Sequence, residues 1–123
     1  IWEKYVCKLS ENQVSAVMKI PFGAWGSSED ANAMRVMVAD EVIRIANKKG
    51  IPIDADYAKN HLEFLKKLPA DNMSSTLQDI LAGRRTEVDM FGGTIVRLGR
   101  ETGVPTPLNE FLYHAIKLLE EKG

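Results

Sequence analysis

"SSTLQDILAGRRTEVD", Ser74 to Asp89, holds two helix starts and one helix stop within a single short span. Ser75 with Gln78 three residues later fits a capping box, and Leu77, Ile80 and Leu81 follow at helical spacing until Gly83 ends the segment. Thr86 with Asp89 fits a second box, opening a helix that buries Val88, Phe91, Ile95 and Val96. No alternation of strand type runs through the stretch, so its reading commits this part of the chain to helix.

Working outward, the same periodicity holds nearly everywhere. Toward the N-terminus, Trp2, Tyr5, Val6, Leu9, Ala16, Val17 and Ile20 fall on one broad apolar side. "IPFGAWGSS" breaks that helix, because Pro21, Gly23 and Gly26 disfavour its continuation. The longest helix is expected from Ser27, with Asp30 completing a box and Met34, Met37, Val38, Ile45 and Ala46 buried, up to the stop at Gly50, Ile51 and Pro52. Asp54 is expected to cap a helix carrying Tyr57, Leu62 and Leu65, ended by Pro69. Beyond Asp89, Gly92, Gly93 and Gly99 each cost a helix about 1 kcal/mol relative to alanine, which suggests that another element or a ligand approaches closely there. Gly103 stops that helix; Thr106 then caps the last one, with Pro107 at its first position and Leu108, Phe111, Leu112, Ala115, Ile116 and Leu119 along its apolar face. The expected fold is all-α, one compact bundle of about six helices over residues 1–123.

Composition narrows the function classes. With 45% hydrophobic and 27% charged residues the chain is of ordinary globular type. A net charge of -1, from 16 basic and 17 acidic residues interspersed, leaves no footprint for nucleic acid or an anionic membrane. No apolar run is long enough to span a bilayer, and a cytoplasmic location is the expectation. The single cysteine, Cys7, suits a reducing compartment and is expected to be a free core thiol; with only His61 and His114 as histidines, no metal site is expected. Neither GxGxxG nor GxxxxGK[ST] occurs, so no cradle for nucleotide phosphates is recognisable. The chain opens at Ile1 directly on an amphipathic pattern, and the expectation is a piece of a longer polypeptide.

The residues that could carry chemistry are few. Lys4, Lys8 and Asn12 are four apart and line up on one helix face as a polar ridge. A solvated surface stripe gives the same pattern. An ammonium beside an amide also suits a site that holds a carboxylate or protonates a developing alkoxide. Ser75 and its neighbours, at a helix start with free N–H groups, could seat a substrate carboxylate. Glu87 sits at the next start, where an acid is favourable in any case.

Taken together, "IWEKYVCKLSENQVSAV", "SSTLQDILAGRRTEVD" and "GVPTPLNEFLYHAIK" resemble, in order and spacing, the C-terminal domain of the ketopantoate reductase (2-dehydropantoate 2-reductase) family. The resemblance implies a fold like the C-terminal domain of 6-phosphogluconate dehydrogenase, packed against an N-terminal Rossmann domain that binds NADPH. It implies hydride transfer to the ketone of 2-dehydropantoate, giving pantoate for pantothenate and coenzyme A. By the same resemblance Lys4 matches the catalytic lysine and proton donor, Asn12 and Ser75 match substrate-binding positions, and Glu87 matches a glutamate near cofactor and lysine. Lys8 stands where many members have asparagine, and Phe22 where some do. Another branched 2-oxo acid is therefore the alternative substrate, and a non-catalytic helical oligomerisation module the alternative role. A homodimer paired through exposed Phe or Met patches is the oligomer to expect.

Overall fold

A computed structural model describes all of residues 1–123, and it contains helices and no strands. The elements are α1 (Trp2–Cys7), a π-helical turn (Lys8–Asn12), α2 (Gln13–Met18), α3 (Ala24–Ser27), α4 (Glu29–Lys48), α5 (Tyr57–Leu65), α6 (Ser75–Ala82), α7 (Val88–Thr102) and α8 (Pro107–Lys122). Because α1, the π turn and α2 run on without a break, the chain has seven helices, one more than expected. The extra one is α3: the first helix stops at Met18, with Lys19 left-handed at φ 56°, ahead of Pro21, and Gly23 then starts a short turn that buries Trp25.

Helix ends follow local chemistry where glycine is involved. Gly50, Gly83 and Gly103 take positive φ angles of 86°, 73° and 77°, the left-handed region in which glycine has no Cβ to clash. At helix starts the structure differs from the expected boxes. Ser28, not Ser27, caps α4, accepting from the Ala31 amide. Ser74, not Ser75, caps α6: its hydroxyl accepts from the Leu77 amide, while Gln78 turns aside and donates to the Met73 carbonyl. Ahead of α5, Asp54 holds the Asp56 amide in a turn instead of capping the helix directly.

At α7, Thr86 accepts from the Val88 amide, but Asp89 does not complete a box; it accepts from Tyr113 and Lys117 on α8. Thr106 precedes α8 without a side-chain capping bond. The carboxylate of Glu41, on α4, does that work from across the bundle, accepting from the amides of Leu108 and Asn109, both at 3.0 Å.

The larger core joins Val6 and Leu9 to Ile43 and Ile45 of α4, to Leu77 of α6, and to Phe91, Ile95 and Ile116 of α7 and α8. A smaller one gathers Val14, Trp25, Val38, Leu65 and Leu112. Two expected core positions are outside: Met37 is 54% exposed and Phe111 70% exposed. With Met18, Met34, Leu108 and Leu112 they border an apolar groove on the surface. Close approach is real at two of the three helical glycines. A Cβ on Gly99 would lie 2.7 Å from the Thr106 methyl, and one on Gly92 2.9 Å from Gln13 Oε1, whereas one on Gly93 would find ordinary contact with Tyr113 at 3.5 Å.

The first helix is the axis of the bundle. From Leu9 to Ala16 every residue is buried except Asn12. Its buried polar groups are mostly satisfied within the protein: Ser10 donates to the Val6 carbonyl, and Gln13 to the Leu9 carbonyl and the Asn109 side chain. The π turn adds one residue to this helix by i→i+5 pairing, which rotates everything after Lys8 relative to Lys4. Such turns are common at functional sites.

Candidate active site

Val6 anchors α1 in the core, which leaves Lys4 and Lys8 exposed on the opposite side. Both lysines line a hollow of about 390 Å³ together with Ile1, Trp2 and Tyr5. That volume falls within the range of small-molecule sites. Trp2 and Tyr5 meet edge to face, ring centroids 5.6 Å apart, and the Tyr5 hydroxyl donates to the Phe91 carbonyl at 3.0 Å, tying this wall to α7.

Glu87 reaches the same rim by pairing with Lys8, Nζ to Oε1 at 3.6 Å. Lys8 Nζ also lies 5.4 Å from the centre of the Phe91 ring. The pair is open to water, 43% and 59% exposed, so it contributes no more than about 1 kcal/mol to stability. Its consequence is positional: it holds Glu87 beside Lys8 at the edge of the hollow. No carboxylate comes within 4.0 Å of Lys4.

Asn12 belongs to the next stretch along the first helix, and Ser75 to the start of α6. Ser15 donates to the Asn12 carbonyl at 3.2 Å and shares a 2.6 Å bond with Ser74, the cap of α6. This seam brings the start of α6 against the part of the first helix that carries Asn12. Since Ser74 does the capping, the exposed Ser75 hydroxyl has no structural duty. The hollow itself contains neither Asn12, Ser75 nor Glu87, so the four residues singled out from sequence lie along one helix and its neighbours, not within one closed cavity. Phe22 packs against the smaller core; of the two departures from the family pattern, only Lys8 borders the hollow.

Family comparison agrees with the architecture. The model of the ketopantoate reductase PanE/ApbA C-terminal family matches residues 1–120. The chain belongs to the ketopantoate reductase C-terminal family. It is 32% identical over 119 residues to a 2-dehydropantoate 2-reductase of Pyrobaculum aerophilum, covering 97% of this chain and 42% of that protein. The crystal structure of a PanE/ApbA family ketopantoate reductase from Ralstonia eutropha JMP134 superposes with a TM-score of 0.83 at 32% identity, over 99% of this chain and 41% of that one. A D-mandelate dehydrogenase solved with NADH and anilino(oxo)acetate shares the fold alone, with a TM-score of 0.89 at 23% identity over 98% of this chain and 40% of that one. The chain thus spans about two-fifths of the length of the ketopantoate reductases it matches.

Sequence reasoning missed three features of this region. It did not anticipate the ion pair between Glu87 and Lys8. It did not assign Trp2 and Tyr5 to the wall of a hollow. It also found no metal-ligand set, yet Cys7, Glu11 and His61 converge, their ligand atoms all within 4.8 Å of one another. Helical spacing could have linked Cys7 to Glu11, but nothing local points to His61.

Proposed function

We propose that this chain is the substrate-side half of an NADPH-dependent 2-dehydropantoate 2-reductase, which reduces the ketone of 2-dehydropantoate to pantoate for pantothenate and coenzyme A synthesis. The observation that carries the proposal is the hollow in which Lys4 and Lys8 meet, with Glu87 drawn to its rim, in a chain of this family. Two ammonium groups beside an apolar wall suit a small anionic 2-oxo acid.

Lys4 acts as the general acid. Its Nζ proton goes to the ketone oxygen as negative charge builds there, and the neutral amine is then reprotonated from solvent. The Asn12 amide and the Ser75 hydroxyl lie outside this hollow, and it is the family resemblance that assigns them to the substrate; the amide can both donate and accept. NADPH, when bound, would supply the hydride for the ketone carbon. This chain has no strand–glycine turn–helix to hold its phosphates, so an N-terminal Rossmann domain of the same polypeptide carries them. Glu87, 59% exposed, fits as an acceptor on the cofactor side. The isolated 123 residues are then inactive. The native-length enzyme works in the cytoplasm, and a second copy pairing through the Met37 and Phe111 groove makes it a homodimer.

Lys8 favours a second reading of the substrate. A further cation where many family members carry asparagine could select another branched 2-oxo acid. The test is a substrate panel on the native-length protein with NADPH and with NADH, comparing 2-dehydropantoate with other branched 2-oxo acids. Preference for 2-dehydropantoate and NADPH is expected, and Lys4→Ala should lower turnover by about 10²–10⁴-fold. Unchanged turnover in that variant removes Lys4 from the mechanism, and failure to reduce any 2-oxo acid leaves a non-catalytic helical module.

A further inference from the structure

Away from the hollow, Cys7 and Glu11 stand one turn apart on the first helix, and His61 faces them from α5. Their sulfur, oxygen and nitrogen ligand atoms lie within 4.8 Å of one another. The Glu11 side chain is only 9% exposed, and its buried Oε2 has no hydrogen-bond partner. That oxygen is 3.6 Å from His61 Nε2, too far for a hydrogen bond and close enough for both to share a ligand. A buried carboxyl oxygen beside no stronger donor than the weak Cys7 thiol is costly, so its persistence here needs a reason.

We propose that Cys7, Glu11 and His61 form a three-ligand site for a soft divalent cation of the zinc class, separate from the reductase hollow. Thiolate, carboxylate and imidazole are the donor types that zinc takes, and three protein ligands leave a fourth position for water. Ligand atoms around a tetrahedral zinc are roughly 3.5 Å apart, given bonds of about 2.0–2.3 Å, so the triangle must close by on the order of 1 Å. His61 can supply that movement, since its side chain is 20% exposed and held by ring stacking with Tyr57 and Phe64, not by hydrogen bonds.

The surroundings also fit. The Tyr57 hydroxyl lies 4.0 Å from Cys7 Sγ, in position to orient the sulfur. Arg35 is the one cation acting on all three groups, and its guanidinium is turned toward the Asn32 side chain and the Ala58 carbonyl. Burial pushes the Cys7 thiol up to about 12 and the Glu11 carboxyl up to about 7, so a divalent ion binds by displacing protons that the empty site retains. Binding expels the thiol proton, and any proton on Glu11, to solvent, with no change of oxidation state. The exposed edge of His61 is the way in.

The test is a Co²⁺ titration of the native-length protein, followed by Zn²⁺ competition. A near-ultraviolet thiolate-to-metal charge-transfer band with tetrahedral visible bands, saturating at one ion per chain and abolished by Zn²⁺, is expected. Cys7→Ser should remove the charge-transfer band, and His61→Ala should weaken Zn²⁺ binding by more than about 10-fold, with far-ultraviolet circular dichroism unchanged. Absence of the band in the wild type overturns the proposal whatever the variants do, and so does a band that persists in Cys7→Ser. The readout needs no reductase activity, so it stands or falls separately from the proposed function.

Discussion

Glu41→Ala should be among the most damaging single substitutions in this protein, although Glu41 lies far from any helix start in sequence. Pro107 has no N–H, and Thr106 offers no side-chain acceptor, so the first donors of α8 are the amides of Leu108 and Asn109. Both point at the Glu41 carboxylate, at 3.0 Å each, and Glu41 is 7% exposed while Asn109 is fully buried. The Asn109 side chain also donates to Glu41 at 2.8 Å, but keeps the Val38 carbonyl at 3.3 Å as a second partner.

Truncation therefore strands two amides, each losing a hydrogen bond to a charged group worth about 1.5–3 kcal/mol, along with an acid at a helix N-terminus. Allowing for partial rescue by water, the expected loss is about 3–5 kcal/mol. For a domain of this size that lowers the melting temperature by roughly 10–25 °C. Glu41→Gln keeps one acceptor and the shape, and should cost about half as much. Urea denaturation with an unchanged m-value is the assay. A Glu41→Ala loss below about 1 kcal/mol would refute the argument that α8 is capped from across the bundle.

The two adjacent serines should separate cleanly. Ser74→Ala, which removes a cap and the bond to Ser15, should cost about 1–2 kcal/mol in melting experiments. Ser75→Ala should leave the melting curve alone and raise KM in the native-length enzyme; equal kinetic constants would withdraw Ser75 from the substrate site. Gly99→Ala would press a Cβ to 2.7 Å from Thr106 and 2.8 Å from the Val104 carbonyl, so it should destabilise by about 1–3 kcal/mol despite the better helix propensity. Gly93→Ala, with room to 3.5 Å, should instead stabilise by about 0.5–1 kcal/mol, and a matching effect at both glycines would contradict the packing.

The pH prediction follows from two carboxyls on the α7–α8 seam. Asp89 is held below its ordinary 3.8 by hydrogen bonds from Tyr113 and Lys117. At Glu120 burial acts upward, but bonds from the Thr86 hydroxyl and amide and the charge of Lys117 outweigh it, leaving the group below its ordinary 4.5. Folded values below unfolded ones mean that their stabilisation is complete above the unfolded values and fades as pH falls through the folded ones. Wild type should accordingly lose stability below about pH 3.8 more steeply than Asp89→Asn, and parallel pH–melting curves would exclude the linkage.

Helix existence and most helix ends were legible in the sequence. Apolar spacing and the stops at Gly50, Gly83 and Gly103 are local, because a 3.6-residue period and a left-handed glycine need only neighbouring residues to be recognised. Lys4 and Lys8 were likewise visible as neighbours on one exposed face, whereas Asn12, expected in line with them, ends the π turn and stands outside the hollow. Capping was less so. Ser27 and Ser75 were each off by one residue, because adjacent serines offer the same chemistry and only the entry angle of the chain selects which hydroxyl meets the amide. Met37 and Phe111 lie on apolar stripes broader than the faces the bundle covers.

What the sequence alone determined is therefore everything that depends on near neighbours: an all-helical chain, where its helices run and stop, and which face of the first helix carries its charges. What only the tertiary structure decided is which distant groups meet. Glu41 caps α8, Glu87 pairs with Lys8, and His61 comes to Cys7 and Glu11 because helix packing brings them together. A charge or a hydrogen-bonding group carries no label for its partner, and that choice is made by the shape of the core between them.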